Sequence, residues 1–228
     1  MAKEQKQSKK SQKAKPETVH VGLLIDETGS MAGMEPAVVG GVNEFVESLR
    51  KQEEESRVLA TLAKFDLHGS DPVLRVQYAG IPLDEVALLE PGDYAPRGAT
   101  PLNDAVVGVI RTIDKAVSDG ERAILVVLTD GYENASETST KKVRKKIRAK
   151  EADGWEFIYL GADQDSWAEA EQIGIADAPG KAFDYDKSEK GTADALKLSA
   201  DRVQSFRKDA VKYREEADEI GRSRRRKA

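Results

Sequence analysis

Residues 123–129 read AILVVLT, and this run constrains the chain more than any other. Six consecutive apolar residues without alternation describe a strand that is buried on both faces. Such strands belong to mainly parallel sheets lying between two layers of helices. The flanking sequence agrees. Residues 19–25 form a second short apolar run ending in Asp26, and residues 58–65 and 155–161 read as further strands. Residues 73–82 are less continuously apolar and suit a sheet edge, and 182–185 form a last short strand. Between them lie stretches with helical spacing. One is 36–52, with Val38, Val42, Phe45, Val46 and Leu49. Another is 101–117, with Leu102, Ala105, Val106, Val109, Ile110 and Ile113, and a shorter one covers about 166–173. Strands alternating with helices predict an α/β fold: a doubly wound, mainly parallel central sheet flanked by helices.

A long amphipathic helix is predicted within 187–221, starting near Thr192 as its N-cap. Ala193, Leu196, Ala200, Val203, Phe206, Ala210, Tyr213, Ala217 and Ile220 recur on one stripe. Either its first half packs back on the sheet domain, or its second half supports self-association with another chain through a coiled-coil contact. The predicted organisation is therefore a basic tail at 1–17, a sheet domain at 18–186, this helix, and a second basic tail at 222–228.

Charge is unevenly spread. Residues 1–16 and 222–228 carry +5 each, so with a net charge of −5 the body between them carries −15. The tails lack apolar periodicity and are expected to be disordered. Charged residues make up 34% of the chain, above the roughly 25% usual for globular proteins. Part of the excess is a basic helix after Asp130, where seven Lys and Arg between 141 and 150 surround only Val143 and Ile147. A solvated face is the plain reading. Weak, salt-dependent nucleic-acid contact by this helix and the tails is the other.

Several classes drop out. There is no Cys, so there is no disulfide framework, zinc-thiolate site or thiol nucleophile. With only His20 and His68, imidazole-based chemistry is not expected. No apolar run approaches the roughly 20 residues of a membrane span, and the N-terminus has no secretory pattern. A cytoplasmic location and no membrane partner are the expectation. There is no Gly-x-Gly-x-x-Gly and no Walker loop. A loose calcium-hand start at 186–191 puts Lys190 and Lys197 where ligand oxygens belong, and is rejected.

In open parallel sheets, ligands sit beyond the carboxyl ends of the strands. The polar residues there are Asp26, Asp66, Asp130 and Asp163. Asp66 and Asp163 suit ordinary turn or cap roles. Asp26 opens Asp26-Glu27-Thr28-Gly29-Ser30, in which Asp26, Thr28 and Ser30 alternate and would point the same way from an extended loop. Asp130 lies in Thr129-Asp130-Gly131. A third segment, Gly98-Ala99-Thr100-Pro101, precedes a helix, with Pro101 suited to its first position and Thr100 to its N-cap. Together these segments offer two carboxylates and three hydroxyls. Oxygen donors alone suit a hard cation such as Mg²⁺ rather than zinc or copper.

The order Asp26-x-Thr28-x-Ser30, then Thr100 within GATPLNDA, then Asp130 within VVLTDGYEN resembles the von Willebrand factor type A domain with its metal-ion-dependent adhesion site. One position departs from that pattern, since Thr28 stands where Ser is usual. Segments such as FIYLGADQD are most similar to small intracellular bacterial and phage members. The resemblance implies Mg²⁺ (or Mn²⁺) held by Asp26, Thr28, Ser30, Thr100 and Asp130. It further implies a protein partner that supplies a carboxylate to the metal, with no bond broken, so the expectation is not an enzyme.

An enzymatic rival is a haloacid-dehalogenase-like Mg²⁺-dependent phosphohydrolase. There Asp26 would be the nucleophile, with Lys141, Asp163 and Asp165 as supporting groups. That reading leaves Thr100 and its flanking Gly98 and Pro101 without a role.

Overall fold

The computed structural model describes residues 17–51, 56–162, 166–175, 181–210, 212, 213, 215, 216 and 219. The two tail segments 1–16 and 222–228, and with them Asp163, Asp165, Ala217 and Ile220, lie outside the described residues.

Six strands form one sheet: β1 (Thr18–Asp26), β2 (Arg57–Phe65), β3 (Leu74–Pro82), β4 (Arg122–Thr129), β5 (Glu156–Ala162) and β6 (Ala182–Tyr185). Their order is β3-β2-β1-β4-β5-β6. Every neighbouring pair is parallel except β2 with β3, which is antiparallel. β3 therefore stands at an edge, where its broken apolar pattern placed it, and its residues are only partly buried or exposed.

Both faces are covered, as the unalternating strands require. Ile124, Val126 and Leu128 of β4 point into one core, while Ala123, Leu125 and Val127 point into the other. The first core is closed by α1 (Glu35–Arg50) and α5 (Glu189–Lys208). The second is closed by α2 (Leu102–Asp114), α3 (Thr140–Ala152) and α4 (Ser166–Ile173). At roughly 1.5–3 kcal/mol per buried aliphatic side chain, these two layers dominate the stability of the domain.

The C-terminal helix begins earlier than its sequence suggests. Ser188, not Thr192, is the N-cap, and its hydroxyl accepts the Gly191 N–H at 3.0 Å. Thr192 is buried inside the helix instead. The apolar stripe packs within the chain: Leu196, Ala200, Val203, Phe206 and Tyr213 are all buried in the first core. Phe206 and Tyr213 meet edge to face at 5.6 Å between ring centroids. These residues are not an outward-facing strip for a second chain.

The basic helix α3 buries only Val143 and Ile147. Lys141, Lys142 and Lys145 are exposed, while Lys150 pairs with Asp114 at 2.5 Å. This is a solvated helix anchored by a narrow apolar seam. Among the described residues no helix is long and apolar enough to cross a membrane.

Candidate metal centre

β1 and β4 are neighbours at the middle of the sheet, and Asp26 and Asp130 mark their carboxyl ends. Asp26 is fully buried. Its Oδ1 accepts the Thr28 N–H at 2.8 Å and its Oδ2 accepts the Thr129 hydroxyl at 2.6 Å. Its carboxyl is pushed up to about 6: burial is the main cause and the nearby Asp130 charge adds to it, against the lowering effect of these hydrogen bonds.

After Asp26 the chain stays extended through Thr28 (φ −81°, ψ 166°) and then tightens into one 3-10 turn, Gly29–Met31. That path brings the Thr28 and Ser30 hydroxyls together, 3.1 Å apart. Ser30 donates to Asp130 Oδ1 at 2.7 Å, and Thr100 donates to Thr28 Oγ1 at 3.3 Å. Each hydroxyl has one proton, so the string runs in one direction, from Thr100 to Thr28 to Ser30 to Asp130. Three chain segments thus bring the five sequence-predicted site residues into one cluster.

Thr100 reaches this cluster by a different route from the one its sequence suggests. It is not the N-cap of α2: Pro101 occupies that position, and the helix begins at Leu102. The helix N–H groups are satisfied from a distant loop. Asn103 N–H is bound by Glu133 Oε2 at 2.7 Å, and Asp104 N–H by the Ser136 hydroxyl at 3.0 Å. The Thr100 N–H goes to Asn134 Oδ1 at 2.8 Å, which leaves its hydroxyl for the site. Asp104 returns the link by accepting the Glu137 and Thr138 N–H groups at 2.8 and 2.9 Å. The 130–139 loop and the start of α2 are therefore tied to each other.

On the other flank, the loop before Thr100 is tied to the ends of β1 and β2. Gly98 has φ +72°, and a Cβ there would lie 2.2 Å from the Leu67 carbonyl oxygen. Leu67 and Ala99 exchange both backbone hydrogen bonds at 2.9 and 3.0 Å. Gly29 N–H donates to the Gly98 carbonyl at 3.1 Å. Behind these contacts lies a buried ion cluster. Arg75 binds both Glu27 and Asp66, Arg97 Nε binds Asp66 Oδ2 at 3.1 Å, and Glu27 Oε1 accepts the Ala95 N–H at 2.6 Å. Asp66 is a buried anchor for two arginines rather than a turn or cap residue.

The residues fit a hard cation. Asp130 Oδ2 is buried and faces the Lys187 ammonium rather than a hydroxyl or a backbone N–H. The Lys187 ammonium stands 2.6 Å away and forms an ion pair with it. A side chain at Gly131 would crowd the hydroxyls, since its Cβ would lie 3.1 Å from Thr100 Oγ1 and 3.5 Å from Ser30 Oγ. Among the described residues no three His, Cys, Asp or Glu side chains come together. A cation bound here would be held by two carboxylates and three hydroxyls, a set suited to Mg²⁺ or Mn²⁺.

Sequence reading did not assign Thr129, Gly131, Glu133 or Asn134 to the site. The adjacency of Thr129 and Gly131 to Asp130 was the available signal. Glu133 and Asn134 carry no local signal for this role, because the Asn103 and Thr100 N–H groups they accept are 30 and 34 residues away.

Comparison with known proteins places this geometry in a family. The von Willebrand factor type A domain model matches residues 20–197, and the chain belongs to that family. The match extends into α5, in keeping with the packing of that helix against the sheet domain. No curated protein sequence matches the chain. Solved structures with the same fold include proximal thread matrix protein 1 from the mussel byssus, at 16% identity and TM-score 0.58. That match covers 81% of this chain and 48% of the other. The pilus adhesin SpaC from Lactobacillus rhamnosus GG, in its open conformation, matches at 17% identity and TM-score 0.63, covering 81% of this chain and 30% of that one. The SpRpn10 VWA domain matches at 12% identity and TM-score 0.53, covering 78% and 94%. The chain thus spans about half or less of the first two proteins. At these identities the likeness speaks for the fold alone.

Proposed function

We propose that this protein is a metal-dependent protein-binding module: a divalent cation, Mg²⁺ or Mn²⁺, held by Asp26, Thr28, Ser30, Thr100 and Asp130, receives a carboxylate from a partner protein. The observation that carries this reading is the hydrogen-bonded string of hydroxyls ending on a buried carboxylate whose second oxygen faces only a partly exposed ammonium. The hydroxyls are neutral, so a divalent cation among them would be balanced by only two charges and would keep its attraction for an anionic ligand. That ligand binds without any bond being broken, and the module needs no catalytic residue. The reading is of an intracellular module, and its partner is recognised by an exposed acidic side chain.

The phosphohydrolase alternative is less well supported. The cluster includes Thr100, for which that chemistry has no use, and Lys141 is an exposed residue of α3.

The test is a thermal melt with millimolar Mg²⁺ or Mn²⁺ against EDTA, paired with affinity capture from host lysate under both conditions. A cation at ten times its Kd stabilises the fold by about 1.4 kcal/mol. For a domain of this size that raises Tm by roughly 3–6 °C. No shift with either cation, or equal capture in EDTA, defeats the proposal.

A further inference from the structure

Lys187 stands out among the groups around the cluster. It lies outside the hydroxyl string, on the short connection between β6 and α5, yet its ammonium is 2.6 Å from Asp130 Oδ2. The Asp130 side chain is fully buried and Lys187 is 38% exposed, so one partner is fixed and the other can move into solvent.

The backbone beneath Lys187 is pinned on both sides. Tyr185 ends β6, and Ser188 N–H donates to the Asp186 carbonyl at 2.7 Å. Ser188 then caps α5 through Gly191. The turn is tight: a Cβ on Gly191 would lie 2.0 Å from the Asp186 carbonyl oxygen. The ammonium is therefore held beside Asp130 on a four-carbon tether whose base lies in a tight, hydrogen-bonded turn.

We propose that Lys187 is a tethered counterion of the cation site, which an incoming Mg²⁺ or Mn²⁺ must displace from Asp130. The inference rests on the metal-binding reading above and deepens it. Two positive centres cannot share one buried carboxylate oxygen without mutual repulsion. Lys187 neutralises Asp130 before the cation arrives, and its removal from that oxygen is part of the work of binding. Its energetic role is to weaken cation affinity. Once displaced, it remains tethered close by as a second positive charge, so that two carboxylates, one divalent cation and one ammonium sum to +1. A site of that charge discriminates in favour of an acidic partner group and against a neutral one.

The test is calorimetric titration of the full chain with Mn²⁺ and with Mg²⁺, for the wild type, Lys187→Gln and Lys187→Arg. Removing the charge should lower the cation Kd by roughly tenfold, the scale of about 1.4 kcal/mol. Lys187→Arg, which keeps the charge, should stay within about threefold of the wild type, a difference under 1 kcal/mol. Lysine side-chain NMR on the wild type supplies a readout that needs no neutral variant. The signal missing from Lys187→Arg should shift on adding Mg²⁺ with the midpoint of the calorimetric isotherm. Equal or weaker binding by Lys187→Gln overturns the proposal, as does a Lys187 signal indifferent to Mg²⁺. If the wild type itself binds neither cation, the metal-binding reading fails and this inference fails with it.

Discussion

Asp66 and Asp130 occupy equivalent places. Each is the first residue after a strand that runs parallel to β1, β2 and β4 respectively, and each has a side chain fully withdrawn from solvent. Their surroundings differ. Asp66 is saturated: Arg75 takes one oxygen and Arg97 the other. Asp130 receives a single hydrogen bond from Ser30 and leaves its second oxygen to an ion pair with a half-exposed lysine. Burial alone does not separate a structural carboxylate from one available for binding. The supply of donors does. The saturated cluster holds the loops that carry the site residues, and in the proposed mode the less fully paired carboxylate is the one that takes a cation.

This contrast can be broken from either side. The largest effect is expected at Arg75. Arg75→Ala leaves Glu27 and Asp66 short of a cation in a buried setting, which costs about 3 kcal/mol. Scanning calorimetry should show Tm lower by roughly 6–12 °C, equally in EDTA and in Mg²⁺. A loss under ~1 kcal/mol would mean that the cluster does not brace the site.

Gly98→Ala comes next. It forces a left-handed conformation on a residue with a Cβ and drives that Cβ into the Leu67 carbonyl, for about 2–3 kcal/mol. Chemical denaturation should show a lower midpoint with unchanged slope. A neutral outcome would show that this loop adapts freely.

Asp130→Ala should behave in the opposite manner to Arg75→Ala. In EDTA its stability should stay within about 2 kcal/mol of the wild type, because it loses one hydrogen bond and an ion pair whose lysine can turn to solvent. The cation-dependent rise of roughly 3–6 °C should vanish. If Asp130→Ala melts far below the wild type in EDTA, the distinction between the two aspartates collapses.

The smallest change in stability is expected at Thr100→Ala. Its side chain contributes one long hydrogen bond, and its N–H keeps the Asn134 partner, so the cost is about 0.5–1 kcal/mol. Capture of the partner should weaken more than cation binding, since in the proposed mode Thr100 completes the shell when the carboxylate docks. Equal weakening of both would assign Thr100 to the metal alone.

Much of this was legible in the sequence, for definite reasons. Residues 123–129 announce a two-sided strand because burial on both faces removes polar alternation. The spacing of Asp26, Thr28 and Ser30 announces convergence because the period of an extended chain is two. What was missed depended on distant partners. Thr100 looks like a cap by local rules, yet Glu133 and Ser136 supply the capping groups. Asp66 looks like a turn residue because Arg75 and Arg97 are not recognisable as its partners from spacing. The stripe through Phe206 and Tyr213 shows an apolar face but not what covers it. Likewise nothing in the order of residues brings Lys187 to Asp130.

The middle position of β1 and β4 sets two clocks at the site. Each has a hydrogen-bonded strand on both sides, so separating Asp26 from Asp130 requires the centre of the sheet to come apart. That event carries the free energy of global unfolding, whereas loops and exposed side chains open at far lower cost. In deuterium exchange the amides of these two strands should be the last to label. The Lys187 side chain needs no backbone opening to turn into solvent, and rotamer changes of exposed side chains fall on the nanosecond scale. The spacing of the two carboxylates thus persists for as long as the protein stays folded, while the charge next to them can be exchanged many millions of times within that lifetime.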